Sequence, residues 1–156
     1  MRRAALGRSR EIQRGFGSDI EADEPVTIEE ARFELDYRFG PGPHWVIADA
    51  ADDRFLGVVR LAPLDAVHRS ARFAIGILDP ARLGQGLGTE TARLVVEFGF
   101  DVLDLLRIDL KVLADNERAI RSYEKVGFEL EGRLRRTHHR DGEWIDDLIM
   151  AIVAES

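Results

Sequence analysis

Residues 71–80 read ARFAIGILDP, and residues 83–91 read LGQGLGTET. The first run alternates, with Phe73, Ile75 and Ile77 on one face, and predicts a strand that Pro80 ends. The second sets glycines at 84, 86 and 88 and opens the apolar-periodic run GTETARLVVEFGFDVLDLL, which predicts a helix. Along it, Leu87, Thr91, Leu94, Val95, Phe98 and Val102 fall at core-facing spacings. RIDLKVLA follows as a second strand, with Ile108, Leu110 and Val112 on one face and Arg107, Asp109 and Lys111 on the other. Strand, helix and strand over residues 71–113 make a right-handed parallel crossover unit. That unit decides the fold class.

Downstream, NERAIRSYEKV predicts a helix capped by Asn116 and stopped by Gly127. FELEGRLRRTH and EWIDDLIMAIV then form a hairpin about Asp141-Gly142. Upstream, HWVIADA and RFLGVVRLA are two strands joined by a turn at Asp52-Asp53. Before them lies a helix with Thr27 and Glu30 as a capping box, stopped by Gly40-Pro41-Gly42-Pro43. The order is helix, helix, β, β, β, α, β, α, β, β. It predicts an α/β (α+β) fold: one domain over residues 1–156 with a mixed central sheet and helices on both faces.

The chain has 156 residues, is 45% hydrophobic and 33% charged, and lacks cysteine. Disulfides, thiolate metal sites and a cysteine nucleophile are excluded, which accords with a cytoplasmic address. No apolar run reaches the roughly 20 residues of a membrane span. The basic N-terminus has no apolar segment of the secretory kind. A net charge of -7 argues against direct DNA binding. GRLRRTHHR, residues 132–140, is a basic island, read first as solvated surface and second as a patch for an anionic partner. The adjacent His138 and His139 face opposite sides of a strand, which argues against joint metal ligation and for surface placement. The sheet-edge strands near the C-terminus leave a homodimer open.

The glycine loop admits three readings. A Walker loop requires GxxxxGK[ST], but the spacing differs and the lysine is missing. A dinucleotide fingerprint requires GxGxxG after the first strand of a doubly wound sheet, but this loop reads GxGxG in mid-chain. The third reading is a diphosphate cradle. Glycines at 84, 86 and 88 let the backbone turn tightly and bring N–H groups to an anion, and the helix beginning near Leu87 adds its positive end.

This segment resembles the acetyl-CoA-binding motif of the GNAT superfamily of N-acetyltransferases, [QR]xxGx[GA], fitted here by Leu83-Gly84-Gln85-Gly86-Leu87-Gly88. Leu83 stands where Arg or Gln is usual, with Arg82 beside it. The family's downstream core, N-x-x-A-x-x-x-Y-x-x-x-G-F, is matched by Asn116, Ala119, Tyr123, Gly127 and Phe128. The ending DGEWIDDLIMAIV resembles the branch that acetylates N-terminal amines of ribosomal proteins. The resemblance covers residues 45–153; the family's opening strand is missing from the N-terminus.

The resemblance implies acetyl transfer from acetyl-CoA, without a metal, to a primary amine. That amine is a protein N-terminus or a small molecule such as an antibiotic, polyamine or amino acid. It implies that Gly84, Gln85, Gly86, Leu87, Gly88 and Thr89 hold the diphosphate. Backbone groups of Ile77 and Leu78, and the side chain of Asn116, meet the pantetheine arm. Gly76 marks either a bulge at the splayed strands or close packing. Tyr123 is the general acid: a phenol of pKa about 10 protonates a thiolate whose thiol has pKa about 8.5. By periodicity alone Tyr123 is a core residue. Asp109, Glu143, Asp146 and a water compete as the base. A non-catalytic acyl-CoA-binding module and a nucleotide-binding protein are the rival readings.

Overall fold

The computed structural model describes residues 8–18, 20–31 and 42–155. A six-stranded sheet carries the molecule, in the order β1-β2-β3-β4-β6-β5. Its strands are β1 (His44–Ala48), β2 (Phe55–Asp65), β3 (Ser70–Ile77), β4 (Arg107–Leu113), β5 (Glu129–Arg140) and β6 (Glu143–Val153). Only β3 and β4 run parallel; every other neighbouring pair is antiparallel. Among the described residues the α-helices with both ends placed are α1 (Arg10–Gly15), α2 (Leu87–Asp101) and α3 (Glu117–Val126), and α2 is the crossover between the parallel strands. None among the described residues is long and apolar enough to cross a membrane.

Local chemistry sets the boundaries. The Asn116 side chain accepts from the Ala119 N–H at 3.2 Å and starts α3. Gly127, at φ +111°, ends it in the left-handed conformation. Asp141 and Gly142 both have positive φ, 52° and 79°, as the two-residue turn between β5 and β6 requires. The Thr27 box is closed, with Thr27 N–H to Glu30 Oε2 at 2.9 Å and Glu30 N–H to Thr27 Oγ1 at 3.1 Å. The stop expected for that helix at Gly40-Pro41 lies outside the described residues.

The main core gathers Leu61, Phe73, Ile108, Leu110, Met150 and their neighbours under α2 and α3. The strand faces follow the predicted alternation. The stripe expected on α2 is met only in part, by Val95 and by Leu87, which packs on the core. Ala92, Val95, Val96 and Gly99 are buried, whereas Leu94 is 61% and Val102 63% exposed. The helix turns its small residues inward because it lies close on the sheet: a Cβ on Gly99 would come within 2.8 Å of Ile108 Cδ1. Apolar spacing alone gave the larger side chains the inner face, and backbone proximity reverses that choice.

Gly76 carries no bulge. Its pairing with Val58 is regular, and the register shift in β2 falls between Leu61 and Leu64. Close packing is the reason for glycine here, since a Cβ would sit 3.0 Å from Phe16 Cζ.

Candidate active site

The parallel pair holds for three residues only: Ser70 with Arg107, Ala71 with Ile108 and Arg72 with Asp109. Beyond them β3 stays with β2 as far as Gly57↔Ile77, and β4 stays with β6 as far as Leu113↔Asp147. The two halves of the sheet therefore diverge. The wedge between them opens into a cavity of about 550 Å³. Strand backbone facing this wedge lacks its ladder partner and can bind an extended chain.

One end of the wedge is the glycine loop. Gly84 and Gly86 have φ of 73° and 81°, which side chains rarely adopt. A Cβ on Gly84, Gly86 or Gly88 would meet nothing within 4 Å. No side chain caps α2 at Gly86, and its first backbone bond is Glu90 N–H to Gly86 C=O. The N–H groups of Leu87, Gly88 and Thr89 precede that bond, at the positive end of a helix of 15 residues. Backbone amides, a helix end and room for close approach together suit an anion such as a diphosphate.

Gly84, Gly86, Leu87 and Gly88 line the cavity, together with Ile77 and Leu78. The Gln85 side chain turns back to the Ala81 carbonyl at 2.7 Å, and Thr89 sits in the first turn of α2. The Leu78 N–H is already committed to the Leu56 carbonyl at 2.7 Å. Leu83 packs beside Ile12, Phe55 and Leu78, while Arg82 is ion-paired with Asp49. The position where the motif usually carries Arg or Gln thus serves a small apolar cluster.

Tyr123 stands at the other side of the cavity. Its ring packs edge-on against Phe73 at 6.1 Å and Phe128 at 5.8 Å. Burial pushes the phenol up to about 12, because the phenolate would lose its water. No hydrogen bond engages its hydroxyl among the described residues, and no enclosed polar atom lacks a partner. The oxygen therefore opens to the cavity. Tyr123 is at once a core residue and a donor facing the cavity.

A strap closes the third side. Residues of α1 and the turn after it cross the wedge and are tied to both halves. Glu11 pairs with Arg118 at 3.0 Å and Arg14 with Asp141 at 2.6 Å. Arg140 Nη1 donates to the Arg14 carbonyl at 2.7 Å, and Phe16 seats on Gly76. Asn116 Nδ2 donates to the Gly15 carbonyl at 3.4 Å. Besides capping α3, Asn116 therefore holds the strap.

The base candidates fall elsewhere. Asp109 pairs with Arg72 at 2.7 Å, at the last paired position before β3 and β4 part, and does not line the cavity. Asp146 accepts from the Arg136 N–H at 2.7 Å and from Arg133 Nε at 2.6 Å, which lower its pKa. Glu143 is exposed beside the hairpin turn. Within the basic island Arg133 and the buried Arg140 are ion-paired, while most of its other residues are exposed.

The two histidines do point apart. His139 stacks on Trp144 at 5.1 Å. His138 lines the cavity, contrary to the surface placement expected for it, and lies 3.6 Å from the buried Asp147. Asp147 escaped the sequence reading, but Ile145-Asp146-Asp147-Leu148-Ile149 held a signal. A carboxylate occupies the inward beat of an alternating strand. Among the described residues no cluster of His, Asp or Glu is arranged to hold a metal ion.

The family model described as Acetyltransferase (GNAT) domain matches residues 4–129. The chain belongs to the GNAT acetyltransferase family. Spermidine N(1)-acetyltransferase of Escherichia coli (strain K12) is 37% identical over 114 residues, 68% of this chain and 61% of that protein. The match thus spans under two thirds of that relative's length. Probable N-acetyltransferase YjcK of Bacillus subtilis (strain 168) is 34% identical over 145 residues, covering 87% of this chain and 78% of YjcK. Among solved structures, the spermidine N-acetyltransferase of Vibrio cholerae in complex with CoA and spermine superposes with a TM-score of 0.77. It is 27% identical and covers 96% of this chain and 86% of its own. The wedge, the glycine loop and the crossover helix of this GNAT chain are consistent with coenzyme A: an extended amide-bearing arm suits the open strand edges, and a diphosphate suits the loop.

Proposed function

We propose that the protein is an acetyl-CoA-dependent N-acetyltransferase acting on a primary amine. The observation that carries this reading is a single cavity with an uncapped glycine loop at one side and the Tyr123 hydroxyl at another, between strands that part after three paired residues. Acetyl-CoA, when bound, supplies a thioester-activated acetyl group. The amides of residues 84–89 anchor the diphosphate, and the open backbone of β3 aligns the arm. The Tyr123 phenol stays protonated and donates a hydrogen bond where the leaving sulfur gains charge.

The favoured acceptor is an α-amine, as on a peptide N-terminus or an amino acid. Among the described residues the cavity lining offers a polycation one carboxylate, Asp147, and sets Lys111 in the same space, while Arg82 and Arg118 are ion-paired with Asp49 and Glu11. A polyamine is the second reading, supported by the relatives named for spermidine. Release of free thiol from acetyl-CoA, measured with N-terminally free peptides, amino acids, spermidine and an aminoglycoside, tests both. Turnover of no amine would overturn the acetyltransferase reading in favour of an acyl-CoA-binding module. Preference for spermidine over every α-amine would replace the first acceptor by the second.

A further inference from the structure

The mechanism above leaves the acceptor's proton without a destination. An amine attacks only as the free base, yet α-amines with pKa about 8 are mostly protonated at neutral pH. Of the carboxylates suggested by sequence, none lines the cavity. His138 and Asp147 both do.

The geometry fixes the histidine's tautomer. The Thr137 hydroxyl donates to the Ile145 carbonyl at 3.3 Å, so its oxygen is left to accept. His138 Nδ1 lies 3.2 Å from that oxygen and 3.6 Å from Asp147 Oδ1. Both neighbours are acceptors, so Nδ1 carries the hydrogen and Nε2 carries the lone pair. Asp147 is 6% exposed, and its charge lies where an imidazolium would form. The arrangement is that of a base oriented by a second group.

We propose that His138 Nε2 accepts the proton of the acceptor ammonium and that Asp147 orients and stabilises the resulting imidazolium. This rests on the acetyltransferase reading and deepens it. The ammonium gives one proton to Nε2. The freed lone pair forms the N–C bond as the C–S bond breaks. The nitrogen's next proton ends on the departing thiolate, and the imidazolium returns its own to solvent. The need for deprotonation also bears on the acceptor. To any one base an α-amine, pKa about 8, gives up its proton about 250-fold more readily than a lysine-like amine, about 10.4, which favours an α-amine.

The charged and titratable groups sharing this cavity are Asp147 on β6, Lys111 on β4, Arg60 on β2, Arg118 and Tyr123 on α3, and Arg82 beside the glycine loop. Arg140, next along the same face of β5, is turned to Asp115 and the Arg14 carbonyl. The strap meets the imidazole with the backbone of Gly17.

The test is kcat/KM for thiol release with a peptide bearing a free N-terminal alanine, from pH 6 to 9.5, in wild type, His138→Gln and Asp147→Asn. CoA affinity by calorimetry serves as the control for folding. At pH 6.5 His138→Gln is expected to lose about 10²–10³-fold. The deficit narrows to about tenfold at pH 9.5, where the amine is neutral unaided. Asp147→Asn is expected to lose about tenfold and to move the acid limb to lower pH, with CoA affinity unchanged in both. Wild-type kcat/KM in His138→Gln at pH 6.5, or an equal loss at every pH, would overturn the assignment. Should His138→Gln fail to bind CoA, an unshifted acid limb in Asp147→Asn would overturn it alone. A wild type that binds CoA but turns over no amine would instead defeat the acetyltransferase reading, and this proposal with it.

Discussion

Tyr123→Phe separates the two roles of that residue. The ring contacts with Phe73 and Phe128 are made by carbon edges and survive the change. The lost hydroxyl has no protein partner among the described residues, so folding stability near neutral pH should move by less than about 1 kcal/mol. Catalysis should suffer more. With the phenol at about 12 and a thiol near 8.5, complete proton transfer is uphill by about 3.5 units, or about 5 kcal/mol. The hydroxyl therefore works mainly as a donor to developing charge. A hydrogen bond to a charged group contributes about 1.5–3 kcal/mol, which is about 10–150-fold in kcat. Thiol-release kinetics should show that fall in kcat, while the dissociation constant of CoA from calorimetry stays within about twofold. The pH dependence of stability gives an independent check. In alkali the unfolded chain ionises its tyrosine near 10 and the folded chain holds its proton to about 12. Wild type therefore loses roughly 2–3 kcal/mol across that window, and the phenylalanine variant is spared this share. An unchanged kcat in Tyr123→Phe would refute the donor role. An unchanged alkaline stability profile would refute the burial argument.

Three more outcomes follow from the geometry. Gly86→Ala forces a side chain into φ +81°; it should cost about 1–2 kcal/mol in melting experiments and weaken CoA binding more than tenfold, because the new methyl fills the space where a diphosphate would approach. Phe16→Ala empties the seat on Gly76 and should loosen the strap, raising KM for the amine several-fold while CoA affinity holds. Asp146 is held below the ordinary carboxylate range by the Arg136 N–H and Arg133. Its contribution is present above the unfolded value, about 4, and is lost as pH falls through the lower folded value; Asp146→Asn should therefore flatten the acid limb of a stability–pH curve.

The sheet was legible because its strands alternate cleanly and its turns use residues with few alternatives. Asp141-Gly142 and Gly127 adopt the positive φ their positions predict. The crossover unit was legible for the same reason. What periodicity could not supply was distance. Leu94 and Val102 were assigned to the core of α2, but the close approach at Gly99 gives that face to smaller residues. The glycine turn was readable because three alternating glycines ahead of a helical run mark backbone that side chains rarely adopt, and Gly84 and Gly86 do have positive φ. The strap was not, since Glu11 and Arg14 meet Arg118 and Asp141 across more than half the chain, and Phe16 meets Gly76 across more than a third of it. Of the carboxylates nominated from local sequence, Asp109 and Asp146 are partners of arginines and Glu143 is exposed. Asp147 and His138 meet across the predicted hairpin, but that both line the cavity depends on the pairing of β6 with β4, a long-range fact that a short motif does not contain.

The most direct measurement is calorimetric titration of the folded protein with CoA, set beside Gly86→Ala and Tyr123→Phe. Saturable uptake at one site, lost or severely weakened in Gly86→Ala and preserved in Tyr123→Phe, is the predicted result. Wild type that shows a cooperative thermal transition yet takes up no CoA would contradict it.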